Sequence, residues 1–352
     1  MVNIMGANIF LATALAVAAN GAVSGVQAPR PGTLETYKDW TIGCDNRNRC
    51  EAVALLPEGA DWPDVPTMIR VVREAGPDAD AEIWMSRDSH GQAQVNFIVD
   101  GRQVASATAR DGDARVTGPQ AAALAIAMAR GSTMEIRSAK KLLGRPSLAG
   151  SGAALRYMDA LQGRAGTTTA LVATGALGTN AVKAAPVAPV IKRMPVSTGG
   201  EPPALWREEL TSLGRITGCS DAMNGSQQPE LHRLDKGETL ILVPCGAGAY
   251  NFSSVPVIAT GIAGRRAFRL ATFDSMPGWT KTAGRPMLVN AGWTPEKSRL
   301  ESYAKGRGLG DCGGSQAYVW DGTRFRLVEA YAMGECRGAW EWIRVWSAQV
   351  SD

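Results

Sequence analysis

Alternating apolar and polar positions recur along the chain and predict short β-strands. Val95, Phe97 and Val99 alternate with polar residues and are followed by the dipeptide Asp100-Gly101. Both central residues of a type I′ turn need positive φ, which Asp and Gly tolerate, so this stretch predicts a β-hairpin. The 40 glycines and 19 prolines of the chain fit a fold with many turns.

Two stretches of the N-terminal half have helical spacing instead. Pro119 lies where a first helical residue belongs, Leu124 and Met128 are four residues apart, and Gly131 ends the run. A second helix is predicted over roughly 148–161. Strands and helices together predict an α+β domain in this half.

The C-terminal half has mainly strand patterns. Its clearest unit is the hairpin around Asp321-Gly322, where a two-residue turn would place Tyr318 directly opposite Phe325. A further pair of strands is predicted within 287–304. The sequence therefore predicts mainly antiparallel β-structure here.

Chain length and a proline-rich segment predict two domains. At roughly 150 residues per domain, the 352 residues correspond to two. Residues 174–203 contain five prolines and show neither helical spacing nor strand alternation, so we interpret them as an extended linker. The predicted fold class is α+β: a β-rich, disulfide-stabilised protein with an N-terminal α+β domain at 30–173 and a mainly antiparallel β domain at 204–352.

Residues 1–28 are predicted to be a signal peptide. They contain no Asp, Glu, Lys or Arg, and residues 9–19 form an apolar run too short to span a bilayer. Small residues after this run predict cleavage between about residues 18 and 28. Because no basic residue precedes the run, a buried helix or an uncleaved anchor is the alternative. After signal removal we expect a periplasmic or secreted protein without an integral membrane span.

Six cysteines in an exported chain predict three disulfides. Sequence alone permits 15 connectivities, and local spacing favours pairing each cysteine with the next one along the chain. The favoured pairs are Cys44–Cys50, Cys219–Cys245 and Cys312–Cys336. A zinc site is the alternative. The sequence lacks the short cysteine spacing of zinc motifs and has only two histidines as nitrogen ligands, so we expect no metal.

Charge and motifs argue against several functions. The N-terminal half is neutral, and the net charge of +4 is divided between the proline-rich segment and the C-terminal half, so nucleic acid is not expected as a partner. Paired cysteines leave no thiolate and no Gly-x-Ser-x-Gly motif occurs. His232 lies near Glu230 and Asp235 and is a candidate general base, although a loop role is the simpler interpretation. We assign no catalytic residue and no cofactor.

The glycines of 306–314 are interpreted as a bend before a disulfide rather than an anion site.

The segment 340–346 contains a candidate binding face. Strand alternation places Trp340, Trp342, Arg344 and Trp346 on one side, opposite the three residues between them. Such a face could stack on sugar rings or dock on a partner. The alternative is a core role, in which the tryptophans cover the sheet and Arg344 stacks between them.

Several runs resemble a bacterial exported family, the domain-of-unknown-function family 1176 (DUF1176). The resemblance covers nearly the whole mature chain, includes all six cysteines, and rests on residues 39–46, 50–52, 242–251, 306–313, 320–322 and 335–338. Residues 39–150 also resemble the invasion-associated locus B family, which is exported too. Both resemblances imply export, and neither supplies a catalytic residue.

These observations favour an exported, non-catalytic binding or interaction protein of the cell envelope. Its expected partner is an unknown envelope protein or a glycan. The alternative is an envelope hydrolase, or an inhibitor of such an enzyme. An enzyme would need a concave cluster of Asp, Glu or His side chains, whereas a binding protein would present an apolar or aromatic surface without one.

Overall fold

Antiparallel strands make up most of the regular secondary structure that is described, in agreement with the alternation in the sequence. The computed structural model describes residues 28–63, 65–196, 200–223, 227–234, 237–276 and 284–352. The described residues form five sheets and three helices of 11 to 13 residues. The predicted β-rich α+β fold class is therefore confirmed. Residues 1–27 of the predicted signal peptide lie outside the described ranges, and within those ranges no helix is long and apolar enough to cross a membrane.

The N-terminal half consists of two antiparallel sheets and two helices. Its elements are β1 (Leu34–Tyr37), β2 (Trp40–Cys44), β3 (Cys50–Ala54), β4 (Thr67–Arg73), β5 (Ala81–Arg87), β6 (Gln92–Val99), β7 (Arg102–Arg110), β8 (Ala114–Val116), α1 (Gly118–Arg130), β9 (Met134–Ser138), β10 (Lys141–Gly144) and α2 (Ser151–Leu161). One sheet has the order β1-β2-β3-β4-β5-β8 and the other β10-β9-β6-β7. The core between sheets and helices contains Trp40, Ile69, Phe97, Leu124 and Met158.

The local turn and helix signals of this half are confirmed. Asp100 and Gly101 have φ of 48° and 77° and connect β6 to β7. Helix α1 has a proline in its first turn and ends before Gly131. Helix α2 begins at Ser151, three residues later than predicted, and Leu161 at its end is 42% exposed. The apolar side of α2 therefore stops one turn earlier than its spacing suggested.

The second half of the chain forms three sheets. Its elements are β11 (Val190–Lys192), α3 (Arg207–Thr217), α4 (Ser220–Met223), β12 (Glu230–Arg233), β13 (Glu238–Ala247), β14 (Phe252–Thr260), β15 (Ala267–Leu270), β16 (Leu288–Val289), β17 (Gly292–Thr294), β18 (Arg299–Lys305), β19 (Gly313–Trp320), β20 (Phe325–Met333), β21 (Ile343–Ser347) and β22 (Gln349–Ser351). One sheet has the order β12-β13-β14-β15, with β16 on β14, and another has the order β17-β18-β19-β20-β21. Strands β11 and β22 pair in parallel as a third sheet.

The register predicted for the hairpin β19-β20 is wrong by two residues. Phe325 pairs with Trp320, and Tyr318 faces Leu327 instead of Phe325. The reason is the carboxylate of Asp321, which accepts hydrogen bonds from the backbone amides two and three residues further on, at 2.9 and 2.8 Å. An aspartate that caps a turn in this way stabilises a four-residue loop, so β19 still ends at Trp320 but β20 begins at Phe325, two residues later than the predicted turn requires.

The segment predicted as a linker packs along the protein over its described part. It contains a 3₁₀ turn at Thr179–Ala181 and the short strand β11, which lies beside the last strand β22. Ile191 of β11 is 5% exposed and packs with Ala317, Val319 and Val328. The domain boundaries at 173 and 204 stay a prediction.

Apolar side chains of both halves share one core. Val53, Leu55 and Met68 belong to the same cluster as Trp320 and Ile343 of the C-terminal sheet. Strand β21 lies close to β2 and β3, and the amide of Gly32 donates to the Val345 carbonyl at 2.8 Å. The C-terminal sheet is therefore packed directly on the first N-terminal sheet.

Charged groups at the junction of the halves are paired. The Asp45 carboxylate is fully buried, accepts backbone hydrogen bonds from Arg47 and Arg49 at 2.8 and 3.0 Å, and pairs with Arg344 at 2.9 Å. The Ser86 hydroxyl donates to Glu341 at 2.8 Å. Since buried charges are tolerated only with partners, the halves depend on each other at this junction.

All six cysteines are bonded. The pairs are Cys44–Cys50, Cys219–Cys245 and Cys312–Cys336, as local spacing favoured. Each bridge joins positions 6 to 26 residues apart and lies within one half of the chain. The disulfides therefore stabilise each half and leave the junction between the halves to non-covalent contacts.

Candidate functional site

Small side chains on three neighbouring strands leave a cavity in the C-terminal half. The cavity has a volume of about 280 Å³ and lies between β16 and the face of β18, β19 and β20. Two rows of paired residues form this face: Ala304, Gly314 and Ala332 in one row, and Ser302, Gln316 and Ala330 in the next. Five of these six side chains are smaller than a valine, so the sheet cannot fill the space above it.

The opposite wall of the cavity is apolar. It is formed by Met276, Met287, Leu288 and Val289. The Ser302 hydroxyl fixes this wall to the floor, because it accepts from the Val289 amide and donates to the Val289 carbonyl, both at 3.1 Å. The Ser302 hydroxyl therefore has both a donor and an acceptor partner within the protein.

Tyr318 brings a polar group without a partner among the described residues to the lining. It is completely buried, and its hydroxyl has no hydrogen-bond partner among the described residues. Its ring lies edge-on to Phe273 at 4.9 Å between centroids. Burial, together with the negative charge of Asp274, raises the pKa of Tyr318 above its ordinary value. The hydroxyl therefore stays protonated and can donate a hydrogen bond.

The lining chemistry suits a small, neutral, mostly apolar ligand. Of the lining residues that the structure describes, Lys305 is the one with a formal charge at neutral pH, and none carries a carboxylate, imidazole or thiol. At about 30 Å³ per water molecule, the volume corresponds to about nine waters. A ring or short chain of roughly eight to ten non-hydrogen atoms fits such a space.

The glycine-rich loop at 306–314 is built around a disulfide, as its interpretation as a bend requires. A β-carbon at Gly306 would lie 2.6 Å from the Cys312 sulfur. Gly313 has a φ of 145°, and a β-carbon there would meet the Ala304 carbonyl oxygen at 2.0 Å. The loop is further held by Asp311. Burial raises its pKa, but hydrogen bonds from Arg307 and a backbone amide outweigh burial and hold the pKa below its usual value.

The predicted tryptophan face lies mostly inside the protein. Trp342 and Trp346 are 6% and 8% exposed, Trp340 is half-buried, and Arg344 is half-buried in its pair with Asp45. The Trp346 indole donates to a backbone carbonyl of β20 at 3.0 Å. This burial is what the core role requires. Whether the face also binds a ligand stays a prediction.

An exposed tyrosine covers the inner member of this face. Tyr303 stacks on Trp342 with centroids 4.7 Å apart and an angle of 7° between the rings, and Tyr303 itself is 37% exposed. The aromatic surface presented to solvent on this side is therefore that of Tyr303, which lies on β18.

The candidate general base His232 lies on the edge strand β12. Its Nε2 is 3.5 Å from a Glu230 carboxylate oxygen, and its ring lies 6.4 Å from that of Trp293. Burial lowers the pKa of His232 even though Glu230 acts in the opposite direction. Asp235, the third member of the predicted group, lies outside the described residues. Within the described ranges no group of three or more His, Cys, Asp or Glu side chains could hold a metal ion.

Comparison with known proteins identifies the family. The family described as protein of unknown function (DUF1176) matches residues 34–349, so the chain belongs to it and the resemblance in the sequence is confirmed. A relative in Escherichia coli (strain K12), described as uncharacterized protein YpfG, is 26% identical over 338 residues, which cover 88% of this chain and 91% of the relative. No solved structure matches the chain. The resemblance of residues 39–150 to the invasion-associated locus B family stays a prediction.

Proposed function

We propose that this protein is an exported, periplasmic or secreted, binding protein that acts without catalysis, and that the cavity beside Tyr318 is its ligand site. The observation that carries the proposal is the buried Tyr318 hydroxyl, which has no partner among the described residues and lies at a cavity lined mainly by small and apolar side chains. An unpaired buried hydroxyl costs about 1–3 kcal/mol. A ligand that accepts a hydrogen bond from the Tyr318 hydroxyl removes this cost, so the free hydroxyl favours ligand binding.

The same geometry defines the class of ligand. Because the hydroxyl is protonated, its partner must be an acceptor such as a carbonyl, ether or hydroxyl oxygen. A buried anion would need a cation beside it, and the one cationic side chain that the structure describes in the lining is Lys305, whose amine lies 6.0 Å from the Tyr303 ring centre. We therefore expect a ligand that is neutral where it meets Tyr318 and apolar over the rest of its surface.

Support for export comes from the disulfides. Three structural disulfides are typical of an oxidising compartment such as the periplasm or the extracellular space. The apolar run at 9–19 supports the same proposal from the sequence. N-terminal sequencing of the mature protein tests it: a first residue between about 19 and 29 is expected, and an intact Met1 in a soluble fraction would contradict export.

The ligand site is tested with two probes of nearly equal size. Acetophenone carries a carbonyl acceptor and ethylbenzene does not. We expect both to bind in NMR titrations, with acetophenone preferred by roughly two- to tenfold, the worth of one hydrogen bond. The variant Tyr318→Phe should lose this preference and keep ethylbenzene binding.

A second variant tests the location. Ala330 is 1% exposed and lies on the floor of the cavity, so Ala330→Leu should fill the space and weaken both probes. If neither probe binds the native protein, the site proposal fails. If both bind equally to native protein and to Tyr318→Phe, the cavity is a site but the assigned role of the hydroxyl is wrong.

A further inference from the structure

Two large apolar side chains stand out from the surface of the C-terminal half. Trp206, directly before α3, is 59% exposed, and Ile262, in the loop between β14 and β15, is 71% exposed. Single exposed apolar residues are common, but an indole and a protruding aliphatic chain on joined elements are more unusual. This Trp206–Ile262 surface shares no element with the cavity, which lies between β16 and β18 to β20.

The start of α3, which carries Trp206, and the loop that carries Ile262 are fixed to each other. The Trp206 ring lies over Gly264, where a β-carbon would be 2.8 Å from ring atoms. The buried Glu209 carboxylate accepts from the amides of Trp206 and Gly264, both at 2.9 Å, and pairs with Arg266 at 2.8 Å. One carboxylate therefore ties the start of α3 to the loop that carries Ile262.

The charges around this surface are mainly positive. Arg207 follows Trp206 directly and Arg265 lies three residues after Ile262, while Arg215 lies in the last turn of α3; all three are exposed, against one exposed acid on α3 and the loop, Glu208. Arg266 is neutralised by its buried partner. Exposed arginines beside an indole and a protruding apolar side chain are the combination that favours the headgroup region of an anionic membrane.

We infer that the Trp206–Ile262 surface docks this protein reversibly on an anionic lipid surface. Ile262 enters the boundary between headgroups and acyl chains, Trp206 lies at headgroup level, and the exposed arginines contact lipid phosphates. An anionic lipid surface is complementary in charge to the exposed arginines. A second copy of the chain is not, because two such surfaces would bring like charges together. The inference does not depend on the cavity or its ligand.

Vesicle cosedimentation of the full mature protein tests the inference. The probes are vesicles of phosphatidylcholine alone and of phosphatidylcholine with one quarter phosphatidylglycerol, at 50 and 500 mM NaCl. We expect binding to the anionic vesicles at 50 mM NaCl, at least tenfold weaker binding to phosphatidylcholine, and a loss of binding at 500 mM NaCl, since salt screens the arginines.

Variants locate the contact. Ile262→Ser and Trp206→Ala should each weaken binding at least fivefold, whereas Val187→Ser should leave it unchanged, although Val187 is 90% exposed. Ile262→Ser removes no packed group, so it remains informative if Trp206→Ala fails to fold by circular dichroism. Absence of binding by the native protein, equal binding to both vesicles, or binding unaffected by Ile262→Ser overturns the inference. Sedimentation velocity without lipid tests the alternative that a second copy of the chain binds this surface. Self-association that Ile262→Ser abolishes would support that alternative and overturn the inference.

Discussion

Replacing Tyr318 by phenylalanine should stabilise the ligand-free protein. The variant removes a buried hydroxyl that has no partner among the described residues and leaves the ring contact with Phe273 in place. An unsatisfied buried polar group costs about 1–3 kcal/mol, so we expect the free energy of unfolding to rise by about 1 kcal/mol. For a protein of this size, such a gain raises Tm by about 2 °C.

A neighbouring tyrosine provides the matched control. The Tyr331 hydroxyl donates to Glu329 at 2.7 Å, and burial, reinforced by this carboxylate, raises the pKa of Tyr331 to about 12. Tyr331→Phe removes a hydrogen bond to a charged group, so it should lower the free energy of unfolding by about 1.5–3 kcal/mol.

Urea unfolding with the disulfides intact measures both variants. Opposite signs of the two changes, with unchanged m-values, are the expected result. A loss of more than about 0.5 kcal/mol in Tyr318→Phe would show that the hydroxyl has a partner in the free protein. The reasoning about a free donor at the cavity would then be refuted.

Three further predictions concern stability. Replacing Cys312 and Cys336 by serine opens a link over 24 positions, for which loop entropy gives about 3.5 kcal/mol; a loss below about 1 kcal/mol in urea unfolding would contradict this. Arg344→Met leaves the buried Asp45 carboxylate without its ion-pair partner, so we expect a loss of about 3 kcal/mol, and an unchanged urea midpoint would show that the pair contributes little. Because burial lowers the folded-state pKa of His232 below 6.5, its contribution to stability is complete above pH 6.5 and is lost as the pH falls through the lower folded value. His232→Gln should therefore flatten the decline in urea midpoint between pH 7.5 and 5, and equal slopes in both proteins would exclude His232 as the cause.

Local signals in the sequence predicted local structure well. The Asp100-Gly101 turn needs only the conformational freedom of two residues, and it is found as predicted. The disulfides follow from spacing, because cysteines close along the chain have the smallest loops to close. The second Asp-Gly turn misled the prediction, since the Asp321 side chain caps a longer loop and shifts the pairing of Tyr318.

The cavity could not be predicted from the sequence. Its floor depends on which small residues of three strands become neighbours, and that register changes at the bulge between Ala317 and Tyr318. A signal was present in the spacing of two residues between Ser302 and Ala304, and again between Ala330 and Ala332. Only the sheet order shows that these pairs lie side by side. The burial of Trp342 and Trp346 likewise depends on packing between the halves, which strand alternation does not reveal.

The consecutive order of the disulfides has a consequence for biogenesis. The first, third and fifth cysteines are each bonded to the next one along the chain, so a polypeptide that emerges N-terminus first presents both members of a pair before the next pair arrives. A thiol oxidant that acts on each pair as it appears forms the native bonds directly, without an isomerase to correct them. The sheets of the two halves can then dock after oxidation is complete, because no covalent bond crosses between them.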